Sequence, residues 1–231
     1  MTESTTHDLV ARIVRQLDVA RTIPSIPVRL RERAADAAVD YIVNDERFSN
    51  IAVHLHNVGA LRAGLDAVSL QGLVAEFGVY KGDSLKVIAK HFPDQVVHGF
   101  DSFEGLPTAW GGTSKVKGDF DTGGTPPALD VTNTQFHVGW FDDTVPAFAK
   151  ESHGPFAFVH IDSDIYESAK TVFDHLGRRF VPSTVIVFDE YFGFHGWQNH
   201  EHRAFMDFLA RSGLDFDAIA IGHMNLAVRL R

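Results

Sequence analysis

Val74-Ala75-Glu76-Phe77-Gly78-Val79-Tyr80-Lys81-Gly82-Asp83-Ser84 runs from an apolar strand through a glycine turn into a helix whose apolar face carries Leu85, Val87, Ile88 and Ala89. Glycine at such a turn lets backbone approach a ligand closely. In open α/β sheets, ligands sit at the carboxyl ends of strands near the switch point, where this turn falls. Only Gly78 and Gly82 are present, and the acid Glu76 precedes them. The pattern is therefore not the G-x-G-x-x-G of dinucleotide binders, and nicotinamide and flavin lose ground.

Downstream of the turn, short apolar runs at 96–100, 136–138, 156–161 and 185–188 alternate with helical stretches. This order predicts a mostly parallel sheet covered by helices on both faces. Residues 218–221 and 225–228, separated by Gly222-His223-Met224, predict a closing antiparallel hairpin. With 73–77, the expected sheet has seven strands. Upstream, from Asp8 to about Asn57, apolar residues recur at helical spacing. That stretch is broken at Ile23-Pro24-Ser25-Ile26-Pro27, with a second helix expected near Val28. The expected organisation is a helical region over 1–70 capping a ligand-binding core over 71–231.

The 231 residues are 45% hydrophobic and 22% charged, within the globular range. A net charge of −9 gives no electrostatic footprint for a phosphate polymer, so a nucleic-acid partner is not expected. The absence of cysteine excludes disulfides, thiolate nucleophiles and Cys-based zinc sites, leaving His and carboxylate as metal ligands. Met1 to Arg15 holds no uncharged run of signal-peptide or membrane-span length, so no membrane partner is expected and a cytoplasmic enzyme is the simplest reading.

Asp101 ends the second strand, 19 residues after Gly82, where an acid can accept both hydroxyls of a ribose. The competing reading is a cap for the Asp-Ser turn that follows. Two further strands end in acids, 156–161 in Asp162-Ser163-Asp164 and 185–188 in Asp189-Glu190. Adjacent parallel strands bring Asp162 and Asp189 together, with Glu190 one step further on. Carboxylates so close repel one another, and a divalent cation is the common remedy, Mg²⁺ first and Mn²⁺ or Ca²⁺ after it. Asp164, just before a helix, reads more readily as a cap than as a ligand.

Residues 104–133 crowd together glycines and prolines, which predicts a long functional loop, a mobile wall over the site. His195, His200 and His202 fall close to the expected site, and Trp110 and Trp197 are loop aromatics able to stack on a ligand. Phe205, Phe208 and Leu209 form a helical core stripe.

Taken together, Glu76 to Gly82, Asp101 to Pro107, Gly139-Trp140-Phe141, His160 to Ser168 and Val187 to Tyr191 resemble the macrocin O-methyltransferase family over about residues 70–231. The resemblance implies a Rossmann-like class I methyltransferase fold. It also implies S-adenosylmethionine bound by Glu76, Gly78, Val79, Tyr80, Gly82, Ser84, Asp101, Ser102, Phe103, Trp140 and Asp162. It implies Mg²⁺, or Mn²⁺, on Asp162, Asp189 and Glu190. The expected reaction is methylation of a sugar-like hydroxyl, with Asp162 taking the proton, and a homodimer is among the assemblies allowed. Methylation of an actinobacterial polysaccharide precursor fits a protein with this resemblance. Ser163 stands where the family often has Gly, and Glu190 where it has a second Asp. The alternatives are a NAD-dependent or nucleotide-sugar oxidoreductase, and a non-catalytic relative.

Overall fold

A computed structural model describes residues 25–231, with Arg12 and Val14 in helical conformation. The helix expected over 8–22 and the Ile23-Pro24 half of the proline break otherwise lie outside the described residues. Helix α1 (Ile26–Val43) begins two residues before the expected start, because Pro27 fits the first turn, where its missing N–H has no partner to lose. Its buried Ala34 and Ala38 let it lie close against the domain.

Among the described residues eight strands form one sheet: β1 (Ala52–Val53), β2 (Leu73–Phe77), β3 (Val97–Asp101), β4 (Thr134–Val138), β5 (Phe156–Ile161), β6 (Val185–Phe188), β7 (Phe216–Ile221) and β8 (Leu226–Leu230). Their order is β1-β7-β8-β6-β5-β2-β3-β4, antiparallel only where β8 meets β6 and β7. The expected mostly parallel sheet and closing hairpin are both present. The eighth strand corrects the expected count and the helical reading of residues 52–53: Ala52 and Val53 pair in parallel with Ala220 and Ile221 at the sheet edge. A ladder of two exposed residues shows no alternation, so periodicity could not reveal it.

Helices α2 (Asn57–Asp66) and α3 (Asp83–His91) cover one face, packing Leu61, Leu65, Leu85 and Ile88 against Val74, Phe158 and Val187. Helices α4 (Phe141–Glu151), α5 (Tyr166–Leu176) and α6 (Glu201–Ser212) cover the other with an aromatic layer. All six residues of β5 and all four of β6 are buried, as strands covered on both faces require. No described helix is long and apolar enough to cross a membrane.

The chain runs outward from β2 through β3 to β4, then returns to β5 on the other side of β2. This reversal opens a crevice beyond the carboxyl ends of β2 and β5. Hydrogen bonding continues past the strand ends there: Asp162 N–H donates to the Phe77 carbonyl (2.8 Å), Gly78 N–H to Phe100 (2.9 Å) and Asp189 N–H to Ile161 (2.9 Å). The first residues of each loop are thereby as fixed as the sheet.

Phe205, fully buried, centres the aromatic layer, with ring centroids 5.0 Å from Phe188 and 5.4 Å from Phe216. Phe205→Ala is expected to cost about 3–5 kcal/mol, measured as a lowered midpoint in denaturant unfolding.

Candidate active site

The glycine turn is built around one close approach. Gly78 has φ +95°, and a Cβ there would lie 1.6 Å from the Asp162 carbonyl oxygen, so no other residue fits. The turn is held from the neighbouring strand by Asp101, whose Oδ2 accepts the N–H groups of Val79 and Tyr80, each at 2.8 Å. Its Oδ1 accepts the Phe103 N–H at 2.7 Å. The turn-capping reading of Asp101 is therefore realised, while the same carboxylate faces the crevice. Oδ1, with one donor, keeps a lone-pair direction free.

The crevice is a cleft of about 570 Å³ whose walls include Gly78, Val79, Tyr80, Asp101, Ser102 and Trp140. Asp162, Asp189 and Glu190 also face it. Four residues expected to contact a ligand, Glu76, Gly82, Ser84 and Phe103, are not on these walls. Glu76 is fully buried behind them, its Oε1 2.8 Å from His160 Nδ1. Burial raises the Glu76 pKa against the opposing effect of His160. Burial also works against charge on His160, but Glu76, Asp189 and Glu201 outweigh it and hold that pKa above the usual value. Phe103 is buried and packs edge-on against Phe136.

The carboxylates that converge most closely are Asp162, Asp164 and Glu190, each offering an oxygen within 4.8 Å of the others. This differs from the expected set, in which Asp189 stood where Asp164 now stands. Asp189 is drawn aside by Asn225, whose Nδ2 donates to Oδ1, and it lies 3.8 Å from His160 Nε2. Asp164 caps no helix: Ile165 takes the N-cap position of α5. Its φ of +64° is a left-handed conformation uncommon outside glycine, and its N–H donates to Glu201. Burial, then repulsion from Asp189 and Asp164, holds the Asp162 pKa well above the usual carboxylate range. Burial and Asp189 push Asp164 to about 7, with Lys115 opposing them. Glu190 is raised by burial and then by Asp162.

The glycine-rich segment forms a cleft wall through Gly105, Leu106, Pro107, Thr108 and Phe120. It is knit internally by Leu106 N–H to Asp119 O (2.8 Å) and Gly118 N–H to Leu106 O (2.9 Å). It is also clasped to the segment after β6. The Trp110 ring packs edge-on against Phe194 at 5.2 Å, and His200 Nε2 lies 2.9 Å from the Gly111 carbonyl. A Cβ on Gly112 would fall 1.7 Å from His195 O. Trp197, expected as a wall, is instead 2% exposed in an aromatic cluster with Tyr41 of α1 and His202. It supports the segment from behind.

Residues 75–191 match the family described as a methyltransferase domain. The chain belongs to that family. A curated relative from Streptomyces olivaceus, an 8-demethyl-8-(2,3-dimethoxy-alpha-L-rhamnosyl)-tetracenomycin-C 4'-O-methyltransferase, is 26% identical over 150 residues. The match covers 54% of this chain and 55% of that relative, so the chain spans about half the length of the curated relative it matches. Among solved structures, the calicheamicin methyltransferase CalS11 superposes with a TM-score of 0.60 at 20% identity, over 94% of this chain and 90% of that one. The O-methyltransferase NovP gives 0.58 at 18%, over 74% and 78%. These likenesses show the fold, and the methyltransferase reading of the sequence agrees with them.

Around the cleft of this methyltransferase domain the residues that sequence reasoning missed are His160, Glu201 and Asn225. His160 carried a faint signal, as an ionisable side chain inside an apolar strand. The partners of the other two lie more than thirty positions away, at 37 for Asp164 to Glu201 and 36 for Asp189 to Asn225.

The crowding has a consequence for stability. Carboxyls whose folded pKa is raised bind more protons folded than unfolded, so their contribution is fully present below about 4 and is lost as pH rises through the folded values. With Asp164 at about 7, and Glu201 raised to about 8 chiefly by burial, the window reaches neutral pH. In EDTA, the melting temperature of wild type should fall more steeply than that of Asp164→Asn between about pH 5 and about pH 8, and a divalent cation should abolish the difference. Parallel slopes would show that folding does not raise the Asp164 pKa.

Proposed function

We propose that this methyltransferase moves the methyl group of S-adenosylmethionine to a hydroxyl of a sugar-like acceptor, with Mg²⁺ or Mn²⁺ held by the carboxylate cluster. The observation that carries the reading is the convergence of the Gly78–Tyr80 turn, Asp101 and the Asp162/Asp164/Glu190 trio on a single cleft. Asp101 Oδ1 retains acceptor capacity for a ribose hydroxyl, and Ser102 and Trp140 supply neighbouring walls. Three carboxylates within 4.8 Å, all with pKa values raised by burial and mutual repulsion, fit a hard divalent cation. Asp162, Asp164 and Glu190 would hold it, with Asp189 next to them. Such an ion would make a bound hydroxyl more acidic.

The chain's own residues then have little covalent work. The acceptor oxygen bonds to the methyl carbon while the sulfur–carbon bond breaks, its electron pair returning to sulfur. Asp162 takes the hydroxyl proton. The glycine turn and carboxylates align the reactants, and the clasped 104–133 wall excludes water.

Aromatic surface beside hard oxygen ligands suits a sugar ring. Phe120 and Trp140 line the cleft, and at the rim Tyr80, 38% exposed, lies 5.5 Å edge-on from Phe120. The tetracenomycin relative is by name a rhamnosyl 4'-O-methyltransferase, and one CalS11 structure is described as a TDP-rhamnose 3'-O-methyltransferase. A glycosylated small molecule or an oligosaccharide, including an actinobacterial polysaccharide precursor, is the acceptor class proposed. The family match weighs against an oxidoreductase, and the intact carboxylate set weighs against a non-catalytic relative.

Calorimetric titration with S-adenosylmethionine and S-adenosylhomocysteine, with Mg²⁺ and then EDTA, should show binding of both. Asp162→Asn should abolish turnover of a rhamnoside or oligosaccharide acceptor, while its melting temperature in EDTA at neutral pH should be no lower than that of wild type, because a buried, repelled charge is removed. No binding of either compound under both conditions would refute the methyl-transfer reading. Asp101→Ala removes the acceptor of three backbone N–H groups, each bond to a charged group being worth about 1.5–3 kcal/mol. Affinity for S-adenosylhomocysteine and thermal stability should therefore fall together. Loss of affinity without loss of stability would mean that the carboxylate serves the ligand alone.

A further inference from the structure

Glu201, the first residue of α6, is fully buried. Its Oε1 accepts two successive backbone N–H groups, from Ser163 at 2.9 Å and Asp164 at 3.2 Å, and lies 3.3 Å from the Ser163 hydroxyl. Its Oε2 is also buried and has no hydrogen-bond partner among the described residues. A carboxylate buried among other acids is destabilising unless the groups it holds require it. What it holds is the Asp162-Ser163-Asp164 turn, where Asp164 has φ +64°. Successive N–H groups in such a turn form a concave anion-binding nest, here filled by a side chain of the same protein.

We infer that Glu201 is a positioning residue: by occupying the Ser163–Asp164 nest it keeps Asp164 in the left-handed conformation that brings its carboxylate to Asp162 and Glu190. Without this acceptor, Asp164 relaxes to ordinary backbone geometry and leaves the trio. Glu201 thus acts on cation affinity through another residue and touches neither methyl donor nor acceptor. The inference rests on the proposed cation site.

Two substitutions separate the hydrogen bonds from the charge. Glu201→Met fills the buried volume with an apolar chain that accepts nothing from the nest. Glu201→Gln keeps a carbonyl oxygen for the two N–H groups while removing the charge. Mn²⁺ binding, followed by electron paramagnetic resonance on the protein without methyl donor, should weaken by about tenfold or more in Glu201→Met, as outer partners of metal ligands commonly do. It should stay near wild type in Glu201→Gln. Hydrogen exchange at the Ser163 and Asp164 amides should accelerate in the Met variant alone, and S-adenosylhomocysteine affinity should change in neither.

Wild-type Mn²⁺ affinity in a folded Glu201→Met, or equal losses in both variants, would overturn the inference. If Glu201→Met is recovered only as aggregate, Glu201→Gln decides. Protected amides with wild-type affinity uphold the positioning role, and loss of either overturns it. Failure of the wild-type protein to bind Mn²⁺ is a separate result, which removes the cation site itself and the inference with it.

Discussion

The carbonyl oxygen of Asp162 presses against the α-carbon of Gly78, and much of the site depends on that contact. It joins the end of β2, where the glycine turn begins, to the end of β5, where the carboxylates begin, at a separation only glycine permits. On either side the sheet's hydrogen bonding runs past the strand ends into the loops. Two halves of a ligand site that are far apart in sequence are thereby set at a fixed distance by backbone alone. Side chains then only have to decorate a geometry already in place.

The site is also a concentration of like charge that the rest of the domain must tolerate. Asp162, Asp164, Glu190 and Glu201 all have pKa values raised by burial, with further contributions from neighbouring acids. His160 is a buried basic group placed among them, shared between Glu76 and Asp189. Such crowding is supportable because the surrounding layers are tightly packed: a largely aromatic layer on one face of the sheet, a mainly aliphatic one that includes Phe103 and Phe158 on the other, and two central strands wholly covered. Marginal domains accept local strain of this kind where the remaining packing over-determines the fold.

Much of this was legible in the sequence because it rests on local pattern. The strand–glycine–helix run of 74–89, the acid closing β3 and the acids closing β5 and β6 each declare themselves within a few residues. Handedness does not. Nothing in Asp162-Ser163-Asp164 shows that the third residue turns left-handed and swings its carboxylate inward, nor that Asn225 will hold Asp189 aside. Trp197 misled for a related reason. A large aromatic on a loop reads as a ligand platform until α1 is found to cover it with Tyr41. The two-residue strand β1 was invisible because its ladder depends on β7, which lies more than 160 residues further along, as in the pairing of Ala52 with Ala220.

The position of β8 bears on how the protein comes into being. It follows every other strand in the sequence, yet it lies between β6 and β7, with Leu226, Ala227, Val228 and Leu230 buried. During synthesis β6 emerges with one edge open, and β7 has no place in the sheet until β8 is inserted. Asn225, at the head of that strand, reaches Asp189 only at the same moment. Closure of the sheet and the contact that holds Asp189 therefore depend on the same strand. A nascent chain halted before residue 225 carries the cluster's acids without the contact that sorts them.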